Sequence, residues 1–460
     1  MDEARPKIQK ELAFPPLRQG ETRLDGREGS ETSPAKGQTE SPASTDRLME
    51  EVCERENLKA ALDQVRSNKG GPGVDGMTVD ALGNHLKIKW PTYRAQLLQG
   101  TYQPCPVKRV EIPKPEGGSR NLGIPTVLDR FVQQAVLQVL QKRWDKTFSE
   151  HSYGFRPKRS AHQAVAQAQK YIAEGYGWVV DLDLEKFFDR VNHDVLMARA
   201  AKRISDKRLL KLLRAFLNAG VMTNGLVSPT EEGTPQGGPL SPLLSNLLLD
   251  DLDRELESRD LRFVRYADDC NIYVRSERAG QRVMESVKSF LSRRLRLKVN
   301  DAKSAVARPG TRKFLGFSFT AGREPKRRIA PKALDRVKDR IRDLTRRIRG
   351  ISLQEMVESL GGYLRGWRAY FGYCQTPSVL EELDEWIRRR LRAVIWKQWK
   401  RGRTRYERLC ERGVKSRDAA QTAASSHGAW RISLSPALKR AYRNADFLSM
   451  GLPTLAPHRA

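Results

Sequence analysis

Tyr266-Ala267-Asp268-Asp269 lies between Leu261-Arg262-Phe263-Val264-Arg265 and Cys270-Asn271-Ile272-Tyr273-Val274. Both flanking runs are rich in β-branched and aromatic residues and read as the strands of a hairpin, which sets two adjacent carboxylates at its tip. Neighbouring aspartates repel each other, and a tight turn does not need both, so the pair makes most chemical sense with divalent cations to neutralise it. Metal-assisted phosphoryl chemistry is the candidate. For Asp-Asp taken alone, an acidic solvated turn is the commoner reading, because Asp is a frequent turn residue. The rest of the chain decides between them.

A second acidic run, Trp178-Val179-Val180-Asp181-Leu182-Asp183-Leu184, precedes Glu185-Lys186-Phe187-Phe188-Asp189. Strand alternation puts Asp181 and Asp183 on one face, and an aspartate in so apolar a run needs a partner or a metal. Gly233-Thr234-Pro235-Gln236-Gly237-Gly238-Pro239 opens a helix marked by Leu243, Leu244, Leu247, Leu248 and Leu252; such glycines allow a ligand close to the backbone, and a helix N-terminus favours anions. Val107 to Pro113 and Ser119 to Pro125 read as a hairpin around Lys114-Pro115-Glu116-Gly117-Gly118. Lys114 and Arg120 could reach over a triphosphate, although a solvated hairpin explains them as readily. For His151-Ser152-Tyr153-Gly154-Phe155-Arg156-Pro157, contact with a nucleic-acid backbone and packing of a turn are equally good readings. Lys313 to Phe319 reads as a strand in which Gly316 lets another chain pass close by.

The chain has 460 residues and a formal net charge of +29, enough length for two or three domains and enough positive excess to favour nucleic acid as partner. No apolar run is long enough to span a bilayer, so no membrane partner is expected. The five cysteines are scattered, without zinc-site spacing, and read as reduced thiols in a cytoplasmic protein, with Cys270 a small core residue. Residues 1–45 have the composition of a disordered leader. Helical periodicity begins near Asp46 and includes a short helix over Val79 to Leu86. Beyond residue 320 the sequence turns to basic amphipathic helices, with an aromatic stripe of Tyr363, Trp367, Tyr370 and Phe371 expected in the core. Another helix is expected to start at Thr376-Pro377, the threonine as N-cap, and to carry Trp386, Arg388, Arg389, Arg390, Arg392, Trp396 and Trp399. Its charges suit RNA phosphates.

Taken in order, several blocks resemble a reverse transcriptase of the group II intron-encoded type, an intron maturase. They are Ile112-Pro113-Lys114-Pro115 with Arg120, Tyr153 to Pro157, Asp183 with Phe187-Phe188-Asp189, Thr234 to Gly238, Tyr266 to Asp269, and Phe314-Leu315-Gly316-Phe317. Chance agreement of all of them at polymerase-like spacing is negligible. The resemblance implies an α+β right-hand polymerase: fingers and an antiparallel palm sheet with an N-terminal extension over 46–320, an all-helical thumb or maturase domain over 321–384, and a basic, helical DNA-binding tail over 385–460. The chain lacks the paired cysteines and histidines of an HNH endonuclease, which resembles the compact bacterial lineage.

The same resemblance implies roles. Asp183 and Asp268 would hold two Mg²⁺ ions, with Asp269 completing the acidic site. Asp183 is preferred to Asp181 because the family aspartate stands five residues before the aromatic that abuts the nucleotide sugar, here Phe188, whose ring would exclude a 2′-hydroxyl. Lys114, Arg120 and Gln236 would contact the incoming deoxynucleoside triphosphate, and Phe314, Leu315, Gly316 and Phe317 would form the primer grip. Lys303, or else Lys298, would protonate the leaving pyrophosphate. Implied partners are the intron RNA, an RNA template with its DNA primer, and target DNA. A splicing-only maturase with an idle polymerase site, or a domesticated or defence-associated reverse transcriptase, are the alternatives.

Overall fold

A computed structural model describes residues 45–113, 119–223, 226–228, 232–234, 237–346 and 350–457. The expected leader lies almost wholly outside the described residues. The chain divides into two compact units, one of Ala35–Leu315 and one that includes Gly316–Ala460. Each has its own apolar core.

The first unit carries β1 (Val107–Pro113), β2 (Ser119–Ile124), β3 (Trp178–Leu182), β4 (Val221–Thr223), β5 (Leu226–Ser228), β6 (Arg262–Tyr266), β7 (Asp269–Val274) and β8 (Ala305–Ala307). They build two four-stranded sheets, ordered β2-β1-β4-β5 and β6-β7-β3-β8. The second is antiparallel throughout. Residues Val179 to Leu182 of β3 are all buried, which demands cover on both faces. The helix Glu277–Phe290 packs on β3 and the helix Ala161–Ala173 on β6. Both helices start where the sequence caps them: Ser276 accepts from Ala279 N–H, and Ser160 with Gln163 forms a capping box. Leu243, Leu244, Leu247, Leu248 and Leu252 are buried on the helix Ser241–Ser258, and Cys270 is buried in β7.

Three local expectations are corrected. The helix beginning at Val79 runs on to Gln99 through Pro91, because the apolar face resumes with Tyr93 and Leu97 packed on the core. The strand expected from Lys313 is shortened to β9 (Phe317–Phe319), paired antiparallel with β10 (Arg327–Ile329). Ahead of it Leu315 and Gly316 both take left-handed φ, 51° and 81°, and turn the chain. A Cβ on Gly316 would come within 3.0 Å of Phe371 Cε1, so the glycine makes room for a ring, and the backbone of Ala330 passes close enough to donate its N–H to Gly316 O at 3.0 Å.

Among the described residues, the second unit is helical apart from β9 and β10. Its longest helices are Pro331–Leu344, Leu353–Phe371 and Ser378–Gln398. The aromatic stripe is core only in part: Trp367 is buried, Tyr363 and Phe371 pack half-buried against the core, and Tyr370 is half-buried outside it. Trp367 stacks on Phe371 at 4.9 Å between ring centroids, and Phe371 meets Phe317 at 5.4 Å. The third correction concerns Thr376, which does not cap Ser378–Gln398. Pro377 holds the N-cap position without a side-chain bond, since it lies between the threonine and the first helical residue. Among the described residues, no helix is long and apolar enough to cross a membrane.

Candidate active site

The acidic hairpin forms as its strands dictate: Tyr266 of β6 pairs with Asp269 of β7, leaving Ala267 and Asp268 as a two-residue turn. Ala267 takes φ 58°, a left-handed conformation uncommon for a residue with a Cβ. On the other side of β7, Leu182 of β3 lies opposite Cys270. The ladder ends there; Asp183 is the next residue along from Leu182, and Asp269 the residue before Cys270. The main chain of Asp183 is tied in place, the N–H donating to Ser304 Oγ at 3.0 Å and the carbonyl accepting from Asn300 N at 2.8 Å.

Asp181 and Asp183 share a face but have different surroundings. Asp181 is buried, and Arg312 Nε reaches its Oδ2 at 2.7 Å. Asp183 is partly exposed, and its nearest cation is Lys303, whose Nζ stands 3.7 Å from Oδ2. Lys298 instead turns to Glu185, at 3.6 Å. Burial raises the pKa of Asp269 well above the usual carboxylate range, and the negative charges of Asp181, Asp268 and Asp183 raise it further, while Lys313 opposes them. Four carboxylates thus feel one another around the end of this sheet. Among the described residues, no three His, Cys, Asp or Glu side chains stand as a compact metal-holding cluster. The donor set nevertheless suits a divalent cation: all its ligand atoms are oxygens, and Asp269 sits among negative charges that such an ion would relieve.

Sequence reasoning missed what holds the turn. Arg265, at 0% exposure, fills the space beneath it. Its Nε and Nη2 donate to the two carboxylate oxygens of Asp253 at 2.7 and 2.5 Å, Nη1 to Asn246 Oδ1 at 3.0 Å and to Ala267 O at 2.9 Å, and Nη2 to Ser152 Oγ at 2.8 Å. Asp253 is equally buried. Asn246 in turn donates to Gly154 O at 2.8 Å, and the main chain of Arg265 bonds His151 and Tyr153. The loop His151 to Pro157 is therefore a buttress of the acidic turn. Arg156 points inward too, to Asp145 and to the carbonyls of Ser149 and Ser152. The available signal lay in the helix Ser241–Ser258, where Asn246, Asp250 and Asp253 repeat at helical spacing on the leucine face.

Phe188 is partly buried, its ring edge-on to that of Phe187 at 5.2 Å. The segment Gly233-Thr234 is moored to it: Thr234 N donates to Phe188 O at 2.7 Å, and His193 Nε2 lies 2.7 Å from Gly233 O. A cleft of about 220 Å³ opens there, with Arg109, Asn121, Gly123, Phe188 and Thr234 in its walls. Lys114 and Gln236 lie outside the described residues, as does the side chain of Arg120, whose backbone pairs with Ile112 in the β1–β2 hairpin. Phe314 and Phe317 are buried, and the division between the two units falls between Leu315 and Gly316, inside the expected primer grip.

Residues 112–319 match the family described as reverse transcriptase (RNA-dependent DNA polymerase), and residues 334–413 match the group II intron, maturase-specific domain. The chain is 35% identical over 300 residues to Protein YkfC of Escherichia coli strain K12, covering 56% of this chain and 79% of that protein. It is 35% identical over 206 residues to the group II intron-encoded protein LtrA of Lactococcus lactis subsp. cremoris, covering 45% of this chain and 34% of LtrA. Among solved structures, a chain of a partial Cas6-RT-Cas1--Cas2 complex aligns at 26% identity with a TM-score of 0.35, over 54% of this chain and 42% of that one.

Proposed function

We propose, for a chain that belongs to the reverse transcriptases of the group II intron type and shares their right-hand polymerase fold, that it extends the 3′-hydroxyl of a DNA primer on an RNA template. We further propose that it binds its parent intron RNA as a maturase, acts on target DNA during intron insertion, and works in the bacterial cytoplasm. The observation that carries the polymerase reading is that the β3–β7 ladder ends at Leu182 and Cys270, one residue short of Asp183 and of Asp269 at the hairpin tip, with the charge of Asp183 acting on Asp269.

Asp183, Asp268 and Asp269 are the residues that would hold two Mg²⁺ ions. When bound, these ions would supply acidity to the primer hydroxyl and neutralise charge on the triphosphate and leaving pyrophosphate. The chain's own groups position the reaction. Arg312 neutralises Asp181 and so leaves Asp183 as the aspartate of that pair available to a cation. Arg265 fixes the carbonyl of Ala267 and with it the direction of the Asp268 backbone. Phe188, held by Phe187 and Thr234, presents its ring where a sugar 2′-hydroxyl would fall and so selects deoxynucleotides. Lys114, Arg120 and Gln236 would grip the incoming nucleotide, and Phe314, Leu315, Gly316 and Phe317 the primer. Lys303, the cation nearest Asp183, is the candidate proton donor to pyrophosphate.

The test is primer extension by the purified protein on a heteropolymeric RNA template with Mg²⁺ and deoxynucleotides. Full-length complementary DNA is expected; its absence across template sequences and Mg²⁺ concentrations would overturn the reading.

A further inference from the structure

Two buried polar atoms in the cleft beside Phe188, Thr234 Oγ1 and Asn121 Oδ1, have no hydrogen-bond partner among the described residues. They come from different segments: Asn121 from β2 of the β1–β2 hairpin, and Thr234 from the stretch whose backbone is bonded to Phe188 O. Thr234 is only 4% exposed. A hydroxyl or amide oxygen buried without a partner carries a desolvation cost that an apolar side chain of the same shape would avoid, and a ligand bonded to both atoms removes it.

The cleft is also built to keep its shape. Gly233 takes φ 96°, and a Cβ there would stand 2.9 Å from Asp189 O; Gly237 takes φ 136°, and a Cβ there would stand 2.5 Å from Gly123 O. Glycine alone lets the backbone lie so close at both points. The lining narrows the occupant. Val107, Leu122 and Val221 supply apolar wall, while the charged members, Arg109, Asp189 and Glu232, are exposed and of both signs. One arginine against two acids does not suit a phosphate. About 220 Å³ with two inward polar atoms suits the edge of a neutral, hydroxyl-bearing ring.

Phe188 identifies that ring. With its phenyl group against C2′ of the incoming nucleotide, the nearest polar group of the same sugar is the 3′-hydroxyl on the adjacent carbon. A hydroxyl donates one hydrogen bond and accepts two, so it can donate to Asn121 Oδ1 while accepting from Thr234 Oγ1. Both orphaned atoms are then satisfied by one group.

We propose that Asn121 and Thr234 read the 3′-hydroxyl of the incoming deoxynucleoside triphosphate, and so favour nucleotides that leave an extendable end over 2′,3′-dideoxynucleotides. The inference rests on the reading of the chain as a polymerase with Phe188 facing the sugar, and adds a second specificity contact to that sugar.

The test is single-nucleotide incorporation by the full-length protein on a DNA primer and RNA template, with thymidine triphosphate and its 2′,3′-dideoxy analogue, which differ only in the 3′-hydroxyl. The readout is the ratio of kcat/KM for the two. The wild type is expected to favour the deoxynucleotide by about tenfold or more, since a site built to bond a hydroxyl rejects the analogue lacking it. Thr234→Val and Asn121→Leu keep the side-chain size and remove the polar atom, and each should shrink the ratio by about three- to tenfold. Thr234→Ser, which keeps the hydroxyl, should retain it. Exchanging an unpartnered hydroxyl for a methyl group should not lower the melting temperature, so Thr234→Val decides even if Asn121→Leu does not fold. A wild-type ratio near one, an unchanged ratio in folded Thr234→Val, or an equal fall for both substrates overturns the assignment. So does an equal loss of deoxy- over ribonucleotide preference, which would mean that the variants displace Phe188. A wild-type protein that incorporates neither nucleotide overturns the polymerase reading instead.

Discussion

Gly154→Ala introduces one methyl group against the acidic turn. A Cβ at residue 154 would stand 2.2 Å from Ala267 N, 2.9 Å from Tyr266 C and 3.0 Å from Ala267 Cα, all of them backbone atoms. Comfortable separations between such atoms lie at about 3.5 Å, so the turn or the loop must give way by about 1 Å. The loop cannot simply withdraw, because Gly154 O is bonded to Asn246 and Tyr153 N to Arg265 O. Overpacking of this kind costs about 1–3 kcal/mol of stability, and a misplacement of about 1 Å at a reacting centre costs about 10²-fold in rate. Single-nucleotide incorporation at saturating primer-template should therefore slow by about two orders of magnitude while most of the protein remains folded by urea denaturation. Gly362→Ala, on the helix Leu353–Phe371 with nothing within 4 Å of its added methyl, is the control and should leave the rate unchanged. A Gly154→Ala enzyme that is folded and incorporates at the wild-type rate would refute the buttress.

Asp253→Asn leaves the charge of Arg265 buried without its partner, and chemical denaturation should register a loss of about 3–5 kcal/mol; a loss below about 1 kcal/mol would mean that the pair does not hold the turn. Asp301→Asn, which breaks the surface pair with Lys288, should by contrast leave the transition where it is. Phe188→Ala removes the ring proposed to face the sugar, so the preference for deoxy- over ribonucleotides, measured as a ratio of kcat/KM, should shrink by about tenfold or more. An unchanged ratio would remove Phe188 from sugar selection.

The parts of the fold readable from sequence are those with a clean period. β6, β7 and β3 are short runs of β-branched and aromatic residues, and their alternation alone places Asp181 and Asp183 on one face. Composition cannot decide which of the two aspartates is available; the resemblance chooses Asp183, and the Arg312–Asp181 pair supplies a physical reason for that choice. The Arg265 network leaves only a faint trace in the sequence, the spaced Asn246, Asp250 and Asp253 of one helix, for a different cause. An arginine beside an acidic turn reads as a solvated charge, and only the long-range pairing to Asp253, Asn246 and Ser152 turns it inward. Arg156 lies in a loop for which nucleic-acid contact and turn packing read equally well, and the Asp145 carboxylate with three carbonyls claims its guanidinium for packing. At Leu315-Gly316 the apolar run suggests a strand, yet two consecutive left-handed residues make a turn, a backbone property that side-chain patterning does not encode.

The central claim is that Asp183, just past the end of β3, and Asp268, in the turn between β6 and β7, are two halves of one phosphoryl-transfer site. It is tested most directly by single-nucleotide extension of a DNA primer on an RNA template with Mg²⁺, comparing wild type with Asp183→Asn and Asp268→Asn. Loss of a metal-holding carboxylate removes several kcal/mol of transition-state stabilisation, at about 1.4 kcal/mol per tenfold in rate. Extension by each folded variant should fall by about 10³-fold or more. Wild-type extension by either variant would contradict the account.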